Sequence, residues 1–225
     1  MPKIIISPSF LGIPGTVQLK RFLAAVEQNG AQRVHVDFGD GQFIPEKSAN
    51  DILYHIGYLS QLPQDLHLMV DQPQGFLESI FRNWSADNIS SCDGTYIIIH
   101  QEAAGYHPKF FQRISKHGFL PGLALNPDTA VAKVAEQLFS RLSLIVVMTV
   151  VPGKSGQTMI EACLNKVRQL AVIRSGGNHA FKIMVDGGVN GQNIKLVIEA
   201  GADIAVSGGY VQKDPRRIIK LLDPK

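Results

Sequence analysis

Two kinds of residue in this chain are suited to chemistry, and both recur at fixed places relative to apolar runs. The first is a titratable side chain inside a stretch that otherwise reads as a buried strand. In "VHVDFGDG" (34–41), Val34, Val36 and Phe38 share one face of an alternating pattern while His35 and Asp37 share the other. "DLHLMV" (65–70) places His67 and Met69 in the same relation, and Asp186 closes "FKIMVD" (181–186). Burying an imidazole or a carboxylate costs free energy unless a partner compensates. Taken singly, a strand histidine is ordinarily a hydrogen-bonded core residue. Four such residues at equivalent positions on three strands point instead to a shared site. Two imidazole nitrogens and two carboxylates form a donor set for one divalent ion, with Zn, Fe, Mn and Co all admissible.

The second kind is glycine after a strand. "VPGKSGQT" (151–158), "DGGVN" (186–190) and "SGGY" (207–210) follow three successive apolar runs. Singly, such glycines make tight turns. Three in succession, each opening toward a helix, suit a bound anion approached by backbone N–H groups. Lys154 adds a charge to the first of these loops, where a solvated loop lysine is an equal alternative.

The elements that position these residues are short apolar, β-branched runs: 3–10, 33–38, 65–70, 95–100, 120–125, 142–148, 181–186 and 203–208. Between them lie segments of helical spacing. One is "TVQLKRFLAAVEQNG", with Val17, Leu19, Phe22, Leu23 and Val26 apolar and Gly30 as the stop; another is "GQNIKLVIEAG". Continuous apolar strands alternating with amphipathic helices predict a parallel sheet covered on its outer face. Eight such units predict a (β/α)8 TIM barrel spanning residues 1–225 as one domain, with reactive groups at the C-terminal strand ends. A doubly wound open sheet is the alternative, weakened because no GxGxxG follows the first strand. The polar segment 83–95 reads as an extended connection, with Trp84 packed beneath it.

Composition excludes several classes. The net charge is +3 and no run of five Lys/Arg occurs, which suits a small anionic ligand and argues against a nucleic-acid groove. Cys92 and Cys163 show no zinc-knuckle or redox spacing, which predicts a reducing, cytoplasmic setting. No signal-peptide pattern and no apolar stretch long enough to span a membrane is present.

In order, "SPSFL" (7–11), "HVDFGDGQFIP" (35–45), "DLHLMV", "HQEA" (100–103), "ALNPDT" (124–129), "MTVVPGKSGQ" (148–157), "VDGGV" (185–189) and "VSGGYV" (206–211) resemble the ribulose-phosphate 3-epimerase family, including the similar allulose-6-phosphate 3-epimerases. The resemblance implies a ribulose-phosphate-binding barrel that inverts C3 of a ketose phosphate, most simply D-ribulose 5-phosphate to D-xylulose 5-phosphate, in the pentose phosphate pathway. It implies that His35, Asp37, His67 and Asp186 bind one divalent metal ion, and that Asp37 and Asp186 form the acid/base pair. It implies substrate contacts from Ser9, His67, Met69, Met148 and Asp186, and a phosphate cradle at Gly153, Lys154, Ser155, Gly156, Gly187, Gly188, Gly208 and Gly209. A small-molecule partner and a homo-oligomer complete the expectation. His100 and Glu102 match the family but are read as supporting residues; His55, His107, His117 and His179 are read as surface residues.

Four positions depart from the pattern. Gly39 stands where the family has methionine, Gln42 where it has histidine, and Lys154 and Ser155 replace an aromatic residue and a glycine. Gly39 is expected to open the ceiling above the metal site and to move substrate preference, which makes a hexulose 6-phosphate epimerase the same-class alternative. A non-catalytic sugar-phosphate binder is the alternative of another class, disfavoured by the intact Asp37 and Asp186. A decarboxylase lacks its DxKxxD run, and no inward strand lysine supports a Schiff-base aldolase.

Overall fold

The computed structural model describes residues 4–13, 15–48, 60–83, 93–154 and 156–224. Each predicted apolar run forms a strand: β1 (Ile5–Ser7), β2 (Val34–Gly39), β3 (Gln64–Met69), β4 (Tyr96–His100), β5 (Leu120–Leu125), β6 (Leu144–Met148), β7 (Lys182–Asp186) and β8 (Ile204–Val206). All ladders are parallel, and the order runs β1-β8-β7-β6-β5-β4-β3-β2. The seam between β1 and β2 is drawn together by a parallel bridge, Ser9 to His35, and by the His35 N–H donating to the Pro8 carbonyl at 3.0 Å. The eight strands thus make a nearly closed barrel, and the open doubly wound alternative is set aside.

Among the described residues the helices are α1 (Thr16–Gln28), α2 (Pro73–Asn83), α3 (Lys109–Lys116), α4 (Leu164–Gly176), α5 (Ile194–Glu199), α6 (Gly209–Lys213) and α7 (Arg217–Leu222). In α1, Leu19, Phe22, Leu23 and Val26 are buried against the sheet. Each contributes roughly 1.5–3 kcal/mol of burial. Val17, expected on that face, is 61% exposed. Two residues before Leu19, it lies on the far side of the helix at about 100° per residue. After β5 the connection folds as two 3-10 turns, Val131–Lys133 and Glu136–Leu138.

Two cores result. The larger lies between the sheet and the helices and includes Leu23, Val36, Phe38, Phe111 and Phe181. The smaller fills the barrel interior with Ile98, Ala124, Val146, Met148, Met184 and Val206. Among the described residues no helix is long and apolar enough to cross a membrane. His107 and His117 are exposed, while His179 is half-buried against Phe139 and Phe181. His55, Trp84, Cys92 and Ser155 lie outside the described residues.

Candidate active site

The parallel register of β2 and β3 sets Asp37 beside His67. Because alternate residues face the same side, His35, Asp37 and His67 all point into the barrel, and Asp186 reaches them from the end of β7. One donor atom from each of the four lies within 4.8 Å of all the others. His67 Nδ1 is 3.0 Å from Asp37 Oδ1 and 3.5 Å from Asp186 Oδ2; His35 Nε2 is 3.3 Å and 3.5 Å from the same two oxygens. The two imidazole nitrogens face each other at 3.2 Å. Both histidines are fully buried, whereas the Asp37 and Asp186 side chains keep 8% and 13% exposure toward the cleft.

This packing concentrates negative charge around a small centre. Burial opposes charge on His35, yet Asp37 and Asp186 outweigh it and hold its proton affinity well above the ordinary imidazole range. Burial likewise opposes ionisation of Asp37, and His35 and His67 overcome it, driving its carboxyl far below the usual range. A cation between the carboxylates satisfies the same field. Donors around a tetrahedral ion with bonds of about 2.0–2.2 Å stand about 3.3–3.6 Å apart. Three of the four nitrogen–oxygen separations, at 3.3–3.5 Å, fall in that range and the fourth is 3.0 Å, so small adjustments close the four donors on one divalent ion.

Beneath the cluster lies a second ionic layer that the sequence reading did not single out. Arg33 Nε donates to Asp65 Oδ1 and Ser7 Oγ donates to Asp65 Oδ2, both at 2.6 Å. Arg33 also donates to the carbonyls of Gln64 and Gly94 and lies over the Tyr96 ring. The signal was available: Arg33 precedes His35 by two residues, and Asp65 precedes His67 by two, so the alternation that exposed the histidines includes both. On the other flank, His67 Nε2 meets His100 Nε2 at 2.8 Å, and His100 Nδ1 meets Glu102 Oε2 at 3.2 Å. Burial pushes His100 down to about 4, so this ring is neutral near pH 7.

Above the cluster opens a cleft of about 1100 Å³. Its walls bring together Ser9, Asp37, Met69, Met148 and Asp186 with Gly153, Lys154, Gly156, Gly187, Gly188, Gly208 and Gly209. Ser9 Oγ donates to Asp37 Oδ2 at 2.8 Å, fixing the oxygen that does not face His67. Gly188 has φ +68°, and a Cβ there would press on the Met159 backbone, so the loop after β7 requires glycine. Asn190 from the loop after β7, Tyr210 of α6 and Arg217 of α7 also line the cleft. They lie outside the strand alternation that identified the cluster.

The model of the ribulose-phosphate 3 epimerase family matches residues 5–212. The chain belongs to that family. The "Ribulose-phosphate 3-epimerase" of Bacillus subtilis is 35% identical over 198 residues, covering 86% of this chain and 87% of that protein. The protein of the same name from Treponema pallidum is 36% identical over 204 residues, covering 90% and 88%. Solved structures similar in fold include a phosphoribosyl anthranilate isomerase from Thermus thermophilus, with TM-score 0.66, 13% identity and coverage of 97% and 98%. A 3-hexulose-6-phosphate synthase has TM-score 0.64 at 14% identity, covering 98% and 97%.

Within this epimerase family the chain's departure at Gly39 does not act as expected. Gly39 opens no space, because Ile44 from the following loop fills the position. A Cβ there would lie 2.6 Å from Ile44 Cδ1 and would collide with the Glu46 carbonyl. The loop is tied down by Gly39 N–H donating to Ser48 Oγ and Ser48 N–H donating to the Gly39 carbonyl, each at 3.0 Å. Ile44 is buried, Gln42 is exposed, and Lys154 is exposed at the cleft wall.

Proposed function

We propose that the protein epimerises a ketose phosphate at C3, converting D-ribulose 5-phosphate to D-xylulose 5-phosphate, with Asp37 and Asp186 as the proton-transfer pair. One observation carries this reading: two carboxylates from different strands, both open to the cleft, converge on one centre above two buried imidazoles. Inversion at C3 removes a proton from the carbon beside the C2 carbonyl and returns one to the opposite face. Two carboxylates flanking the planar enediolate perform this, one as base and one as acid, and exchange roles in the reverse direction. Ser9, donating to Asp37, holds one member of the pair in place. Met69 and Met148 supply an apolar, water-poor wall beside the reacting carbon. His35, Asp37, His67 and Asp186 would hold one divalent ion, whose Lewis acidity stabilises developing negative charge by several kcal/mol.

At the other end of the cleft, the Gly153, Gly156, Gly187, Gly188, Gly208 and Gly209 backbones and Lys154 form the phosphate end of the substrate site, as is recurrent in barrels of this type. Since Ile44 fills the place beside Gly39, that position gives no support to a hexulose substrate. The protein acts on this reading as one cytoplasmic domain in a homo-oligomer, with no nucleic-acid or membrane partner.

The test is to incubate the protein and a divalent metal with pentulose 5-phosphates and hexulose 6-phosphates in heavy water. Deuterium is expected at C3 of D-ribulose 5-phosphate. The absence of exchange with every substrate would sink the reading.

A further inference from the structure

His67 has two ring nitrogens, and the structure gives each a different task. Nδ1 faces Asp37 and Asp186. Nε2 faces another imidazole, His100, at 2.8 Å, and the chain continues from His100 Nδ1 to Glu102 Oε2 at 3.2 Å. Glu102 is itself anchored, because its Oε1 accepts the Asn126 N–H at 2.8 Å. Asn126 in turn offers its carbonyl to Lys166 Nζ at 2.6 Å, and Lys166 also binds the carbonyls of Pro127 and Thr129. The His67 and His100 rings lie nearly in one plane, with centroids 4.9 Å apart and an interplanar angle of 20°, and Phe43 packs against His100 at 4.7 Å.

With a cation on His67 Nδ1, hydrogen-bond polarity gives this chain one direction; without one, Asp37, also only an acceptor and 3.0 Å from Nδ1, competes with Glu102 for a ring proton. An ionised Glu102 has only acceptors, so His100 must carry its proton on Nδ1. A cation on His67 Nδ1 leaves that ring's N–H on Nε2, so His100 Nε2 is the acceptor in the 2.8 Å contact. Nδ1 of His67 is then the lone pair turned into the four-residue cluster. We propose that Glu102, acting through His100, is a positioning residue that sets which nitrogen of His67 is available to bind the metal ion. His35 is held more loosely: its Nδ1 faces Asp65 Oδ2 at 3.7 Å, an oxygen that already accepts from Ser7 Oγ at 2.6 Å. This inference rests on the metal-binding reading of the cluster given above.

Glu102→Gln tests it with little change of shape. The amide has one acceptor oxygen where the carboxylate has two. If that oxygen keeps the Asn126 N–H, the NH₂ faces His100 Nδ1, the relay reverses, and an N–H on His67 points into the cluster. Zn²⁺ binding, measured by competition with a chromophoric chelator, is expected to weaken about 10- to 100-fold in this variant. A second measurement needs no variant. Long-range ¹H–¹⁵N spectra of the zinc-loaded wild-type protein are expected to show His100 protonated on Nδ1. Wild-type protein that binds Zn²⁺ with His100 protonated on Nε2 overturns the relay alone, as does a folded Glu102→Gln protein with undiminished affinity. Wild-type protein that takes up no Zn²⁺ overturns the metal reading and the relay together.

Discussion

The barrel interior is divided into two halves that are equally buried and opposite in polarity. From β4 to β8, Ile98, Ala124, Leu144, Val146, Met184 and Ile204 fill it with hydrocarbon at 0% exposure. From β1 to β3, Ser7, His35, Asp65 and His67 occupy the interior at the same 0%. The apolar half needs only matched volume, and tolerates conservative changes of shape. The polar half needs a partner for each donor and charge, because an uncompensated buried charge is far more costly than a missing methyl group. The chemistry is therefore concentrated where the fold is least forgiving. Besides the His100 ring at the end of β4, Asp186 is the acidic exception, a carboxylate that reaches the polar half from the apolar one.

That exception gives the largest expected effect. Asp186→Asn keeps the shape of the side chain but removes one of the two carboxylates proposed to carry the proton. C3 deuterium exchange should fall about 10²- to 10⁴-fold while the far-ultraviolet circular dichroism is unchanged. Exchange at the wild-type rate would assign the proton transfers elsewhere.

The two halves can next be compared directly by stability. Asp65→Asn leaves Arg33 buried without its counter-charge and should cost about 3–5 kcal/mol in urea denaturation. Ile98→Val, at the same depth in the apolar half, should cost about 0.5–1.5 kcal/mol. Equal losses would remove the distinction. The pH dependence carries the same signature. Burial opposes ionisation of Asp65, but Arg33, His35 and Ser7 outweigh it and hold the carboxyl below its ordinary range. A depressed folded-state pKa stabilises the protein above the unfolded value of about 3.9 and loses that contribution as pH falls through the lower folded value. The acid limb of the stability curve below about pH 4 should therefore be steeper in the wild-type protein than in Asp65→Asn.

A third change probes the roof of the polar half. Gly39→Met restores the residue expected from the family pattern, but Ile44 already occupies its space. Overpacking should cost about 1–3 kcal/mol, seen as a lower melting temperature, and Ile44→Ala should relieve part of it. A variant as stable as the wild type would show that the loop yields without strain.

These contrasts also mark what the sequence could and could not convey. Strand alternation located His35, Asp37, His67 and Asp186, because a period of two fixes which side chains share the interior whatever the loops do. The same rule, carried two residues upstream, contains Arg33 and Asp65; they were overlooked because an ion pair between adjacent strands has no spacing signature in one chain. His100 was visible as a strand-end histidine, but its link to His67 depends on the β3–β4 register, a non-local fact. Gly39 misled for a related reason. Its missing side chain reads as open space, and only the path of the following loop shows Ile44 folding back into it.

The smallest expected effect lies outside both halves, on the loop after β6. Lys154 is exposed at the cleft wall, where water and salt weaken its attraction for a phosphate. An exposed ion pair is worth so little that Lys154→Ala should raise KM only about 2- to 5-fold, with kcat unchanged. The difference between variant and wild type should shrink as ionic strength rises, because screening already weakens the wild-type contact. A fall in kcat at constant KM would instead place the Lys154 ammonium among the groups that act in the transition state. The loop would then belong to the chemistry of the polar half, and the boundary between side chains that react and backbone that merely binds would have to be redrawn.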